Sequence, residues 1–121
     1  MVKSSVNKKT GHDYEPPDIF NAARNNDPFE LAAAIQDGQT LEDVEDQKSG
    51  LTPIHVACIH HSSEFLRAAV TMNFDAWARD ANLRLALDHA RAQNLPTDIQ
   101  EALFGKMYPP GWADDPVLPI R

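Results

Sequence analysis

Apolar residues along this chain recur in short clusters at helical spacing, each bracketed by turn or capping residues. The first cluster follows Pro16-Pro17, where Asp18 can accept the free amides of a helix starting at Ile19. Ile19, Phe20, Ala22 and Ala23 form its apolar stripe. Asn25-Asn26-Asp27 is a turn signal, and Asp27 can cap a second helix with Pro28 at its first position. Phe29, Ala32, Ala33 and Ile35 are the expected inward face of that helix, and Gly38 stands where a helix C-terminal glycine belongs. Residues 39–50 are acidic and read as a turn with extended flanks.

The same grammar returns twice. Thr52-Pro53 opens a third helix, hydroxyl as cap and proline in the first turn, with Ile54, Ala57 and Cys58 on one face. Ser62 or Ser63 is the expected cap of a fourth helix carrying Phe65, Leu66, Ala69 and Val70, and Asn73 is expected to end it in a left-handed conformation. After a connector around residues 75–84, Leu85, Leu87, Ala90 and Ala92 mark a fifth helix. Asn94-Leu95-Pro96-Thr97 breaks the pattern, and Ile99, Ala102 and Leu103 mark a sixth helix closed by Gly105. The organisation is therefore a polar, flexible arm over 1–17, an all-α domain over 18–104 and a proline-rich tail over 105–121, whose prolines exclude a continuous helix.

A length of 121 residues allows one small domain. No apolar run approaches the ~20 residues of a membrane helix, and the N-terminus has no apolar stretch of the secretory type. One cysteine, Cys58, excludes an internal disulfide framework and fits a reducing, intracellular compartment, cytoplasmic in the simplest reading, with an organelle left open. The net charge of −7 is unevenly spread: between Asp13 and Asp75, twelve acids face only Arg24, Lys48 and Arg67. That excess argues against nucleic-acid binding, which needs Lys and Arg to neutralise phosphates. It leaves either a solvated acidic surface or a complement to a basic partner.

The clusters also repeat at a fixed distance. Thr52-Pro53-Ile54-His55-Val56-Ala57 aligns with Leu85-Ala86-Leu87-Asp88-His89-Ala90 at an offset of 33 residues. Ile19-Phe20-Asn21-Ala22-Ala23 aligns with Ile54-His55-Val56-Ala57-Cys58 at an offset of 35. The period and T-P-I-H-V-A resemble the ankyrin repeat, with its ~33-residue unit and T-P-L-H-x-A signature. Gly50 falls at that family's glycine position and Asn73-Phe74-Asp75 where it has Gly-Ala-Asp. The resemblance spans residues 18–104, with a well-matched middle repeat between two degenerate ones. In the third, Leu83 replaces the glycine and Leu85-Ala86 replaces Thr-Pro, as in terminal caps. It implies three stacked helix pairs with projecting hairpin loops. It gives His55 a structural role, bonding locally and bridging repeats, and makes Ala57 small so that helices approach.

Catalytic and metal chemistry is poorly supported. His55, Cys58, His60 and His61 are the densest cluster, but spacing supplies no fourth ligand, and Cys58 sits at a core position where a thiol is inert. The carboxylates Glu42, Asp43, Glu45 and Asp46 adjoin one another without an apolar pocket, which is a solvated turn rather than an acid–base pair. No glycine loop for phosphate and no serine elbow is present. The expectation is a non-enzymatic protein with no cofactor, no metal and no small-molecule substrate.

What the resemblance implies instead is protein–protein recognition, by an adaptor or accessory subunit of a larger assembly. By register the contact positions are Arg24 and Asn25; then Lys48, Ser49, Leu51, Ile59 and His60; then Ala81, Asn82, Arg84, Ala92 and Gln93. Leu51 and Ile59 serve either as anchors for a partner or as packing between repeats. In the tail, Tyr108 and Trp112 are candidate anchors, with the segment docking either on the third repeat or on a partner in polyproline form. An acidic stoichiometric inhibitor of a basic site on an enzyme or nucleic-acid-binding protein is the alternative function.

Overall fold

The structure, a computed structural model, describes residues 16–108. Those residues are all-helical: α1 Ile19–Arg24, α2 Pro28–Gln36, α3 Pro53–Ile59, α4 Ser63–Ala69, α5 Ala86–Ala92 and α6 Thr97–Met107. Among them the only extended pairing is one antiparallel bridge, Arg79 with Leu85. Residues 1–15 of the arm and residues 109–121 of the tail, including Trp112, lie outside the described residues.

Capping chemistry sets the helix starts. Asp18 accepts from the amides of Phe20 and Asn21, and Asp27 from those of Phe29 and Glu30. Thr52 Oγ1 accepts from the His55 amide, with Pro53 in the first turn. The turns inside the three pairs each pivot on one residue in the left-handed conformation: Asn26 at φ 55°, His61 at 60° and Asn94 at 54°. Turns this short fold each pair back on itself.

The pairs then stack in two rows. α1, α3 and α5 touch in succession, while α4 touches α2 and α6. α3 lies among α1, α4 and α5, and every residue from Pro53 to Cys58 is buried. The core gathers Ile19, Leu31, Ile54, Phe65, Leu66, Leu87, Ile99 and Leu103, with buried alanines (22, 23, 34, 57, 69 and 90) where helices approach. Ala57 is wholly buried, so a larger side chain there has no room.

Four expectations need correction. α2 turns Leu31 and Ala34 inward, while Phe29 is 85% exposed and Ala32, Ala33 and Ile35 face solvent. Glu30, whose Oε2 accepts from the Asp18 amide at 3.0 Å, helps hold α2 in that rotation. As the first helix of its row, α2 is packed, among the described helices, by α1 and α4. Ser62 stands at the N-cap position of α4 as expected, but its hydroxyl does not cap the helix and instead donates to the Ala23 carbonyl in the preceding pair. The cap is Asn26, whose Oδ1 accepts from the Phe65 amide at 2.9 Å. Asn73 is not left-handed, because α4 ends earlier, at Ala69. Gly105 does not close α6, which continues to Met107 because Leu103 and Met107, one turn apart, are both buried.

Candidate interaction surface

Two edges of the inner row, the one formed by α1, α3 and α5, carry the expected contact residues. One edge is formed by the connectors preceding α3 and α5. The first connector closes through the Glu45 amide to the Leu51 carbonyl and the Gly50 amide to the Asp46 carbonyl, each 3.0 Å. The second closes through the Asp80 amide to the Arg84 carbonyl, 3.0 Å. The connectors lie side by side, the Ala81 amide donating to the Ser49 carbonyl at 2.9 Å. Lys48, Ala81, Asn82 and Arg84 are exposed on this edge, and Ser49 is half-buried. Leu51 packs against the core, so its packing reading is the one the contacts favour.

The other edge lies at the C-terminal ends of the inner helices. Arg24, Asn25, His60 and Ala92 are exposed there, with Ile59 and Gln93 half-buried. The His61 ring bonds the Gln93 carbonyl through Nε2 at 2.6 Å, tying the second turn to the third. Arg24 forms an ion pair with Glu45 of the first connector, so it links the two edges rather than standing free.

A buried polar network fixes the connector edge. Asp80 is 5% exposed; its Oδ1 accepts from the amides of Asn82 (2.8 Å) and Arg84 (3.0 Å), and its Oδ2 lies 2.8 Å from His89 Nε2. Burial alone would raise this carboxyl, but the hydrogen bonds from Arg84, His89 and Asn82 outweigh it and hold the pKa below the ordinary value. His55 Nδ1 faces the Thr52 hydroxyl at 2.8 Å and the Thr52 amide at 3.3 Å, and Nε2 faces the Arg84 carbonyl at 2.9 Å. An amide only donates and a carbonyl only accepts, so Nδ1 is bare and Nε2 carries the proton. Burial lowers the His55 pKa and keeps this neutral form. The ring meets His89 edge-on at 5.6 Å. His55 thus bonds locally and bridges to the next pair.

Tyr108 folds back onto the third pair. Its ring meets Trp77 edge-on at 5.3 Å and Phe104 at 4.9 Å, and Trp77 Nε1 donates to the Met107 carbonyl at 3.2 Å. The opening of the tail is thereby attached to the connector between α4 and α5. Nothing in the residue spacing marks Trp77, Asp80 or His89. Leu83, which stands where the repeat has a glycine, keeps the glycine conformation with a φ of 61°.

The remaining chemistry is sparse. Cys58 is wholly buried, and burial pushes its thiol up to about 12, away from any nucleophilic role. Among the described residues, no three His, Cys, Asp or Glu side chains gather as metal ligands would, and no helix is long and apolar enough to cross a membrane. An open depression of about 450 Å³ lies between the ends of α2 and α4, floored by Ile35, Leu41 and Met72. No family model matches this chain, and no curated protein matches it.

Proposed function

We propose that this chain is an ankyrin-type interaction module, an adaptor or accessory subunit that recognises protein through the connector edge and the inner-helix ends. The observation carrying this reading is the bond between the connectors, Ala81 amide to Ser49 carbonyl. It joins two loops into one rigid border on which Lys48, Asn82 and Arg84 are presented to solvent. Pre-organised loops on a helical scaffold lose little entropy on binding, which favours recognition. The 33-residue offset and T-P-I-H-V-A support the ankyrin assignment. Tyr108 and Trp112 are proposed to add a second contact through the tail. The test is affinity capture from the native source with mass spectrometry, repeated with Lys48, Asn82 and Arg84 changed to alanine. A partner lost from the triple variant supports the reading. A partner set unchanged by it overturns this assignment of the surface.

The acidic-inhibitor reading has its own observation: Glu42, Asp43, Glu45 and Asp46 are all exposed on the first connector. Neutralising the four to Gln and Asn separates the two. Loss of the partner there, with the Lys48–Asn82–Arg84 variant still binding, favours a charge-mimicking inhibitor.

A further inference from the structure

We infer that the N-terminal arm docks back on the domain, residues 8–15 crossing the open depression between the ends of α2 and α4, with Tyr14 as the apolar anchor and Lys8 and Lys9 beside the carboxylates of its rim. The inference stands apart from the interaction-module reading, since it concerns the row of α2, α4 and α6 and not the connector edge.

The arm leaves the domain at the rim of that depression. Gln39 lines it, and the Gln39 side chain clamps the first described residues: Nε2 donates to the Pro17 carbonyl at 2.7 Å, and Oε1 accepts from the Ile19 amide at 2.8 Å. The arm therefore departs beside the floor of Ile35, Leu41 and Met72. Tyr14 is two residues from Pro16. The intervening Glu15 precedes a proline and so favours extended backbone, in which successive side chains point to opposite sides. With the Tyr14 ring turned to the floor, Asp13 and Glu15 turn away from it. The steps from Pro16 to Lys9 span up to about 25 Å of extended chain, enough to cross a depression of about 450 Å³.

Charges on both sides agree with this placement. On the α2 rim, Asp37 accepts from Gln39 Nε2 at 3.1 Å, and Asp43 accepts from the Thr40 amide at 3.2 Å and hydroxyl at 2.8 Å. Glu42 follows Leu41, and all three acids are exposed. Among the described residues the ion pairs are Arg24–Glu45, Arg67–Asp98 and His89–Asp80, so no cation there pairs with Asp37, Glu42 or Asp43. On the α4 rim, Lys106 donates to the Met72 carbonyl at 2.6 Å and Asp75 is exposed two residues after Asn73, one charge of each sign. The uncompensated charge at the depression is thus negative. Residues 1–12 carry Lys3, Lys8 and Lys9 and no Asp or Glu. Opposite charges select this orientation of the arm over its reverse. A segment tethered this closely acts at an effective concentration of order mM, so a contact of modest strength stays occupied.

The test reads side-chain methyl signals of the full chain by NMR. Lys8, Lys9 and Tyr14 lie outside the six helices, so replacing them leaves the helical core intact. Tyr14→Ser is expected to displace the methyl signals of Ile35, Leu41 and Met72, because the aromatic ring leaves them, while those of Ile99 and Leu103 stay in place. Tyr14→Phe should keep all of them where they are. Lys8→Gln combined with Lys9→Gln, or added salt, should move the same signals in the direction that Tyr14→Ser does, since both weaken the charge pairing. Signals of Ile35, Leu41 and Met72 that ignore Tyr14→Ser would overturn the inference, as would a response to Tyr14→Ser with none to the lysine variant or to salt. Displacement that fades on dilution also overturns it, assigning the contact to the arm of a second copy. Each of these failures leaves the reading of the connector edge untouched.

Discussion

Leu83 repeats the backbone of Gly50 from 33 residues away, with φ of 61° against 64°. The two tips differ in what surrounds them. A Cβ on Gly50 would stand 2.9 Å from the Ala81 nitrogen and 3.3 Å from the Asp80 carbonyl carbon, both backbone. Gly50 is thus required by φ and by the approach of the neighbouring connector. Gly50→Ala is expected to cost about 1–3 kcal/mol, and Leu83→Gly to raise stability by about 1 kcal/mol through released strain. Urea midpoints check both. An unchanged midpoint for Gly50→Ala would mean that the connectors do not pack this closely.

His55 makes stability depend on pH. Its folded pKa is lowered, so below its ordinary value near 6.5 the unfolded chain takes up the proton first. Stability from this group is complete above about pH 6.5 and is lost as pH falls toward the folded value. His55→Gln is expected to cost roughly 1–3 kcal/mol at neutral pH, by leaving partners at Thr52 and Arg84 unsatisfied. It should also flatten the slope of stability as pH falls below about 6.5. Equal slopes for both proteins would remove His55 as the source.

Asn26 performs two tasks that substitution can separate. Asn26→Gly keeps the left-handed turn but loses the acceptor for the Phe65 amide, at a cost of about 0.5–1.5 kcal/mol. Asn26→Ala loses the acceptor and also strains the turn, which adds roughly 1 kcal/mol. Thermal unfolding should rank the wild type above the glycine variant and the glycine variant above the alanine one. Equal melting of the two variants would show that φ at Asn26 carries no cost.

Cys58 should react slowly with a thiol reagent in the native protein and quickly once unfolded. It is wholly buried with its thiol pushed up to about 12, so folded molecules at pH 8 hold almost no thiolate. Rapid native labelling would contradict the packing of α3 against its neighbours.

Two truncations divide the roles of the tail. Removing 107–121 takes away buried Met107 and the Tyr108 ring against Trp77, and is expected to lower the melting temperature. Removing 109–121 spares both residues. If it weakens partner binding while leaving melting unchanged, the prolines and Trp112 act as a docking peptide. Full stability and full affinity in both truncated proteins would make the tail a passive linker.

Local chemistry announced three of the six helix starts. Asp18, Asp27 and Thr52 are capping residues whose partners lie two or three positions away, so neighbouring sequence suffices to read them. The 33-residue offset likewise carried the matching tips at Gly50 and Leu83, since a repeated turn needs a repeated φ. What escaped the chain pattern depends on neighbours far along it. α2 has apolar or small residues on more than one side, and its packing against α1 and α4, not its periodicity, selected Leu31 over Phe29. The roles of Asn26 and Ser62 passed between adjacent pairs, because a cap can be supplied by any acceptor that stacking brings to the helix end. Asp80 and His89 are an unremarkable acid and histidine nine positions apart until the second connector closes and buries the carboxylate between them. Hydrogen bonds and caps of short range are written in adjacent residues, whereas rotation of a helix and burial of a charge are set by which surfaces finally meet.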